Sequence, residues 1–566
     1  MGKLLFLFIK SVNRKLTNQE LNFSEEFDVH FNKENTLVIK EKSNRLKGFW
    51  GDGVYNFNLL LGKNGVGKTS ILDLLGLNNK TRGLHFNRGK YFKIYQIQDN
   101  LFYYSGTMSN QIKNIDENLK KKNNFLFKFE DGFVKETNTR AQNQIHIHYI
   151  RNAINFSWSS TKKIFRKNDD TLIRYSYPTS KFKDVLNAYY KFGLFENQNR
   201  AIKIEQKITY SNNSRYLSYI YNFNSKDISR DSNNFLFLDD KSNELNNLIY
   251  KEYSRINQNS IYENHTNHKS YFILRLLEKI LIKQLSTLIS LERNKDSKFN
   301  VLFNILESKQ MNDEIIDNET SIETKINYLI YMMNFMSFSF KEINLPIIEI
   351  DNLIELLDKI PDKFFYSYNE IVFPQEGNYH LDEISILIEE YTNYFKTSFV
   401  NFSDGELVYL NVFSTIAKAI EDSYAHDTIL LLDEPDINLH PEWARRFIHD
   451  LIRIIQTKYL SKKVQIIISS HSPFIVTDFP KENIYLIKTN KKSTNEISNP
   501  EFGFAANFYD LISDTFFMES PIGEFALQKI QNIKNSKVTN SNQVIDTIDD
   551  QLLKRLIIEE NINDKN

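Results

Sequence analysis

A chain of 566 residues is longer than one hydrophobic core can organise, so two or three domains are expected. Its 41% hydrophobic and 25% charged residues are those of a soluble globular protein, and ten prolines with 17 glycines argue against long disordered linkers. Equal numbers of basic and acidic residues, 71 each, give no support to constitutive nucleic-acid binding, and zero cysteines exclude disulfides, Cys-ligated zinc and a thiol nucleophile.

The chain opens on an apolar run, Leu4 to Ile9, too short for a signal-peptide core and read as a first β-strand. Leu21 to Phe31 and Thr36 to Ile39 read as further strands between Asn/Lys/Glu turns. Phe57 to Leu61 is a buried strand that runs into Gly62-Lys63-Asn64-Gly65-Val66-Gly67-Lys68-Thr69-Ser70. That stretch fits G-x-x-x-x-G-K-[ST], and Ile71, Leu72, Leu74 and Leu75 continue it as a helix. The glycines let the backbone curl its N–H groups toward phosphate oxygens, and the helix N-terminus adds partial positive charge. Lys68 is expected to reach the β/γ-phosphates of ATP, and Thr69 to ligate Mg²⁺.

Residues 89–106 read as a hairpin around Asp99-Asn100, and Gln144 to Ile150 as a strand before Arg151-Asn152. From 156 to about 395 polar loops alternate with helical stretches: Tyr271 to Glu292, with Ile273, Leu277, Leu281, Leu285 and Leu288 on one stripe, then Ile326 to Met336 and Ile384 to Phe395. No heptad pattern persists and no fixed repeat is present. No apolar run approaches the ~20 residues that span a bilayer, so a cytoplasmic protein without a membrane segment is expected.

Beyond 399 the motifs return. Phe402-Ser403-Asp404-Gly405-Glu406 opens an amphipathic helix carrying Tyr409, Phe413, Ile416 and Ile420. Ser-x-Gly there is either an anion site or an ordinary cap, with Ser403 or Asp404 at the N-cap and Glu406 in the first turn. Thr428 to Pro435 is a continuous apolar strand ending in Asp433-Glu434-Pro435. At the carboxyl end of a parallel strand, Asp433 would hold Mg²⁺ and Glu434 would deprotonate the attacking water. Val464 to Pro473 is a second buried strand with His471 at its end, placed to contact the γ-phosphate. Ser536 to Asn566 reads as a polar link and a short helix, Asp549 to Glu560.

This ordered set resembles the head of an ABC-type ATPase: Walker A at 62–69, a signature at 402–406, Walker B at 429–434, a dimer-contacting loop from Asp436 to His440, and a switch histidine at 471. The signature departs from that of transporters, with Asp404 in place of Gly and Glu406 in place of Gln, and is similar to SMC and recombination ATPases. The resemblance implies an α/β P-loop NTPase fold, with a strand-rich N-terminal lobe and a large, mostly helical insertion. The expected domains are 1–155 and 399–530 as two parts of one head, 156–398 as the insertion, and 531–566 as a polar link with a short helix. It also implies a homodimer that sandwiches ATP and Mg²⁺ between two heads, with Ser403, Gly405 and Glu406 of one copy facing the nucleotide of the other.

Glu434 to Trp443, His471-Ser472-Pro473 and a tail of Phe502-Gly503, Asn507, Asp510-Leu511, Phe516-Phe517 and Ile522 to Ala526 resemble, more narrowly, the AAA-annotated defence ATPases of Septu and retron-associated systems. Such subunits work beside a separate HNH-type nuclease. The resemblance therefore implies an ATPase that regulates a separate effector in antiphage defence. The alternative is a DNA-repair or recombination ATPase that binds DNA. A transporter subunit is disfavoured because about 335 residues separate Lys68 from Ser403. An in-chain nuclease is disfavoured because His265-Thr266-Asn267-His268 has the wrong spacing and too little chain follows His471 for a nuclease domain. Gln96, Gln98 and Asn152 are candidates for a magnesium-sensing glutamine-loop position, with no choice among them.

Overall fold

The computed structural model describes residues 2–13, 16–43, 46, 48–137, 139, 144–151, 172–195, 200–206, 267–291, 321–339, 350–374, 381–391, 394–423, 427–437, 439–490, 494–507, 510–511, 523–534 and 545–563. The chain forms two compact units, one of Met1–Thr179 with Val408–Asn566 and one of Ser180–Leu407.

In chain order the first unit begins with β1 (Lys3–Val12), β2 (Leu16–Asn22), β3 (Phe27–Phe31), β4 (Leu37–Glu41) and β5 (Val54–Gly62). There follow α1 (Lys68–Gly76), α2 (Asn79–His85), β6 (Lys90–Gln98), β7 (Leu101–Gly106), β8 (Asn124–Glu130), β9 (Phe133–Glu136), β10 (Ile145–Arg151) and β11 (Ile173–Ser176). The expected strand Leu21 to Phe31 is two strands, broken where the Ser24 hydroxyl accepts from the N–H groups of Glu26 and Phe27. β2 escapes a hydrophobic reading because only Leu16 and Leu21 of its residues are buried.

The second unit holds α3 (Phe182–Phe192), β12 (Ala201–Gln206), α4 (His268–Leu291), α5 (Ile322–Ser339), α6 (Ile350–Asp358), β13 (Phe365–Ser367), β14 (Glu370–Pro374), α7 (Leu381–Glu389) and β15 (Phe395–Val400). Besides the expected helices it contains an antiparallel sheet in the order β13-β14-β12-β15. The reading of Ile384 to Phe395 as helix is corrected: α7 stops at Glu389, and Phe395 starts a strand whose backbone pairs with β12. Phe272 of α4 meets Phe365 and Phe395 on this sheet, and Gln206 donates to the Phe272 carbonyl at 2.7 Å. Leu285 and Leu288 lie in α4, in the part whose side chains are outside the described residues, as do His265, Thr266, Phe516, Phe517 and Ile522 entirely.

α8 (Asp404–Asp422) contains the boundary between the units, and the first unit then completes itself with β16 (Asp427–Asp433), α9 (Pro441–Lys458), β17 (Val464–Ser470), α10 (Pro473–Val476), β18 (Ile484–Thr489), β19 (Asn495–Ser498), α11 (Glu524–Lys534) and α12 (Gln551–Asn563). Its thirteen strands form one sheet in the order β11-β10-β16-β17-β5-β18-β19-β2-β1-β6-β7-β8-β9. The stretch from β11 to β18 is parallel and the remainder mostly antiparallel.

The sheet folds back on itself. The Gln465 side chain, fully buried on β17, accepts from Leu4 N at 2.8 Å and donates to the carbonyls of Leu4 at 2.9 Å and Phe23 at 3.2 Å, so β1 crosses over β17. Leu7, Ile9, Leu16 and Leu21 share one core with Ile71, Leu74 and Leu75 of α1 and with Ile147, Ile429, Leu431 and Ile467. The opposite face of β1 packs Phe6 and Phe8 with Phe31 and Phe92 into a second core beneath the β3–β4 hairpin. Burial on both faces is why β1 reads as an uninterrupted apolar run. No helix among the described residues is long and apolar enough to cross a membrane.

Candidate functional site

Parallel pairing aligns the carboxyl ends of four strands. Leu61 of β5 pairs with Ser470 of β17, Ser469 with Asp433 of β16, and Asp433 with Arg151 of β10. Open α/β sheets bind ligands at this end.

The loop from Gly62 to Gly67 turns the chain from β5 into α1. Gly62 and Gly67 have φ of 153° and 106°. A side chain at Gly62 would lie 2.6 Å from the Ile487 carbonyl oxygen, so the loop accepts only glycine there. Asn64, Gly65, Val66 and Ser70 complete the expected stretch, with Gly65 at φ 77°. Gly67 is the N-cap of α1 and offers no side-chain bond to its first N–H groups. Asn495, brought alongside on β19, donates its amide to the Val66 carbonyl.

Lys68 folds back into this loop. Its ammonium donates to the Gly62 carbonyl at 2.9 Å and lies 2.6 Å from His471 Nε2 and 3.6 Å from Glu434 Oε1. Burial lowers the Lys68 pKa, opposed by the nearby Glu434 and Asp433 charges. His471 Nε2 is also 2.8 Å from Glu434 Oε1. This single ring nitrogen can accept from Lys68 or donate to Glu434, so its proton has two alternative places. The hydrogen bond from His471, and then the Lys68 charge, hold the Glu434 carboxyl below the usual glutamate range despite its partial burial.

Thr69 and Asp433 meet across α1 and β16, with Oγ1 donating to Oδ1 at 3.3 Å. Two hard oxygens side by side, one of them a carboxylate, suit a magnesium ion that takes its other ligands from phosphate and water. Among the described residues no three His, Asp or Glu side chains cluster to hold a metal on their own.

Three features of the site escape a motif reading. First, the Ser469 hydroxyl, wholly buried, donates to Asp433 Oδ1 at 2.7 Å and accepts from Glu434 N at 3.0 Å. One side chain thus orients both acids. Two consecutive hydroxyls before His471 are its sequence trace. Second, Tyr149 OH is 3.0 Å from Asp73 Oδ1 and 3.3 Å from Asp433 Oδ2, and Arg151 Nε is 3.4 Å from Asp433 Oδ2. Burial raises the Asp73 pKa. Third, Ser470 donates to Asp436 at 2.6 Å, fixing the turn of the half-buried Asp436, whose carboxyl pKa is raised by desolvation. That turn leads to His440, the N-cap of α9, which accepts from Glu442 N at 3.3 Å; Asn438 is outside the described residues.

Gln96 and Gln98 are not at the site. Gln96 pairs with Lys3 on β1, next to Leu4, and Leu4 is bound by Gln465 near the start of β17, at the end of that strand opposite to His471. Gln98 lies further along β6 in the same direction. Asn152 is outside the described residues; the strand end beside Asp433 carries Arg151.

Ser403, Gly405 and Glu406 belong to the second unit. There Ser403 and Glu406 form a reciprocal cap at the start of α8: Glu406 Oε2 accepts from Ser403 N at 2.9 Å and from Ser403 Oγ at 3.0 Å, while Ser403 Oγ accepts from Glu406 N at 3.4 Å.

A family model described as "AAA domain, putative AbiEii toxin, Type IV TA system" matches residues 187–477, which include Ser403, Asp433, Glu434 and His471. The "Retron Vc95 probable ATPase" of Vibrio cholerae serotype O1 biovar El Tor is 29% identical over 135 residues, 22% of this chain and 24% of that protein. The match thus spans about a quarter of that relative. A structural comparison with the "Crystal structure of the SmcHead bound to the C-winged helix domain of ScpA" gives a TM-score of 0.27 at 11% identity, covering 88% of this chain and 97% of that one.

Proposed function

This chain belongs to the AAA-domain family so described, and from that membership we propose an ATPase that binds ATP with Mg²⁺, closes as a homodimer around the nucleotide and regulates a separate effector. The observation that carries the reading is the convergence of Lys68, Thr69, Asp433, Glu434 and His471 at the carboxyl ends of β5, β16 and β17.

Each residue has a distinct part in hydrolysis. The phosphate loop and the first turn of α1 hold the β- and γ-phosphates through backbone N–H groups. Thr69 and Asp433 would hold the metal, which when bound would neutralise charge on the phosphate oxygens. Lys68 compensates the charge that shifts toward the β–γ bridging oxygen as the bond to the γ-phosphorus breaks. Glu434, kept ionised by His471 and Lys68, takes a proton from the water that attacks that phosphorus. His471 passes between Glu434 and the γ-phosphate, because its Nε2 already stands within bonding reach of both Glu434 and Lys68.

The effector side of the proposal draws on the retron ATPase relative and on the resemblance of the 434–443 and 502–526 stretches to Septu and retron-associated subunits. Those point to antiphage defence with an HNH-type nuclease on a separate chain. Glu434→Gln should bind ATP, fail to hydrolyse it and accumulate as a dimer by light scattering. Lys68→Ala should lose binding or turnover. Wild-type turnover by Glu434→Gln would refute the assignment of the base. Co-purification with the products of adjacent genes tests the effector; a lone dimer that binds DNA ends would replace it with the repair reading.

A further inference from the structure

The reciprocal cap at the start of α8 is held by a residue two hundred positions earlier. Ala201 of β12 pairs with Val400 of β15, so Arg200 stands beside Asn401, and Asn401 turns the chain toward the helix with a φ of 63°. Arg200 is 3% exposed. Its guanidinium lies over the rings of Phe195 and Phe402, at 4.6 and 5.2 Å, and donates to Glu406 Oε1. The other oxygen of the same carboxylate takes both the N–H and the hydroxyl of Ser403. Phe402 itself packs on Phe399 and Tyr189, which fixes the aromatic wall behind the guanidinium.

From this arrangement we propose that Arg200 is a positioning residue of the signature: it anchors Glu406, and through Glu406 it sets the direction of the Ser403 hydroxyl. Arg200 immediately precedes β12 and Ser403 follows the end of the neighbouring β15. Any partner that shifts β12 against β15 therefore moves Arg200 and turns the signature serine. The inference rests on the nucleotide-closed dimer proposed above and adds its regulation. The buried guanidinium makes the coupling strong, because Arg200 without Glu406 is a charge largely cut off from water.

The test is a double-variant cycle in the Glu434→Gln background, read by two separate measurements: affinity for a fluorescent ATP analogue, and ATP-dependent dimer formation by light scattering. Arg200→Met should bind the analogue as the parent does at protein concentrations too low for dimers, and Arg200→Met and Glu406→Gln should each dimerise at least about tenfold more weakly. The combined Arg200→Met/Glu406→Gln chain removes both charges together and should recover most of the loss. Arg200→Lys keeps the charge without the planar stacking and should fall between. A purely structural residue would lower binding and dimerisation alike. If Arg200→Met does not fold, Glu406→Gln carries the test, since glutamine retains the cap to Ser403. If both single variants dimerise as the parent does, or if the losses simply add, the positioning role is overturned alone. A parent that fails to dimerise with ATP overturns the dimer and this inference together.

Discussion

Ser469 shows how little side chain the site needs to place its acids. Its hydroxyl has one proton to donate and gives it to Asp433; its lone pair receives the Glu434 N–H. Ser469→Ala takes from Asp433 Oδ1 its shorter donor, leaving the 3.3 Å bond from Thr69, and leaves the Glu434 N–H on the Ser469 carbonyl alone. Turnover should fall about 10–100-fold, as for other residues that orient metal ligands, with a raised magnesium requirement. Manganese binding followed by spin resonance reports the second effect without turnover. The pH dependence belongs to the same scale. Because His471 depresses the Glu434 pKa, the base stays ionised to lower pH than a free glutamate, and activity on the acid side is retained. Removing His471 lets that pKa rise, so the residual activity of His471→Ala should show its acid limb displaced to higher pH. An unmoved limb would separate the histidine from the base. Lys68, Thr69, Asp433, Glu434 and His471 were legible in the sequence because each closes a contiguous motif. Ser469, Tyr149 and Arg151 were not, because the register of parallel strands, which no local pattern encodes, delivers them.

The elements are fixed by a few polar links inside otherwise apolar packing. His148 on β10 is the clearest. Ser423 at the end of α8 donates to the Ala419 carbonyl at 2.9 Å, so its oxygen accepts from His148 Nε2 at 2.7 Å, and Nδ1 then accepts from Ser176 on β11. The ring is neutral, its pKa pushed down to about 3 by burial and by His146. The unfolded chain takes up a proton near pH 6.5 that the folded chain refuses. Stability from this group is complete above that pH and drains away as pH falls from 6.5 toward about 3. His148→Gln should flatten the acid side of the melting-temperature profile while lowering its neutral plateau. The phosphate loop gives a second case. Gly67→Ala places a methyl at φ 106° and 3.3 Å from Leu16, at a cost of about 1–3 kcal/mol, and should weaken ATP binding by distorting the loop. Element type was readable wherever burial was two-sided, as in β1 and β16. It failed where a strand was mostly polar, as in β2, or where a short helix and a strand followed one another, as at 381–400.

At the scale of the molecule, a chain of two compact units should not unfold in a single step. Calorimetry should resolve more than one transition. Nucleotide at a hundred times its dissociation constant stabilises the state that binds it by about 2.7 kcal/mol. ATP with magnesium should therefore raise the transition of the unit that carries Lys68, and Lys68→Ala should abolish that rise. The motifs lie on two segments far apart in the sequence, and the first unit is built from two segments, Met1–Thr179 and Val408–Asn566. The sequence could not announce the antiparallel sheet of the second unit, whose partners β12 and β15 are almost two hundred residues apart, nor that residues 402–406 would fall in that unit.

Glu434 has a φ of 51°, a left-handed backbone held by bonds from its N–H to Ser469 and from Ile437 N to its carbonyl. A residue with a β-carbon gives up roughly 1–2 kcal/mol there. Asparagine tolerates this conformation better than glutamate does. Glu434→Asn should therefore outlast the native chain on heating while hydrolysing nothing, and Glu434→Gln should gain no such durability. The fold holds its proposed proton acceptor in an uncomfortable backbone, and heat resistance measures that discomfort where turnover cannot.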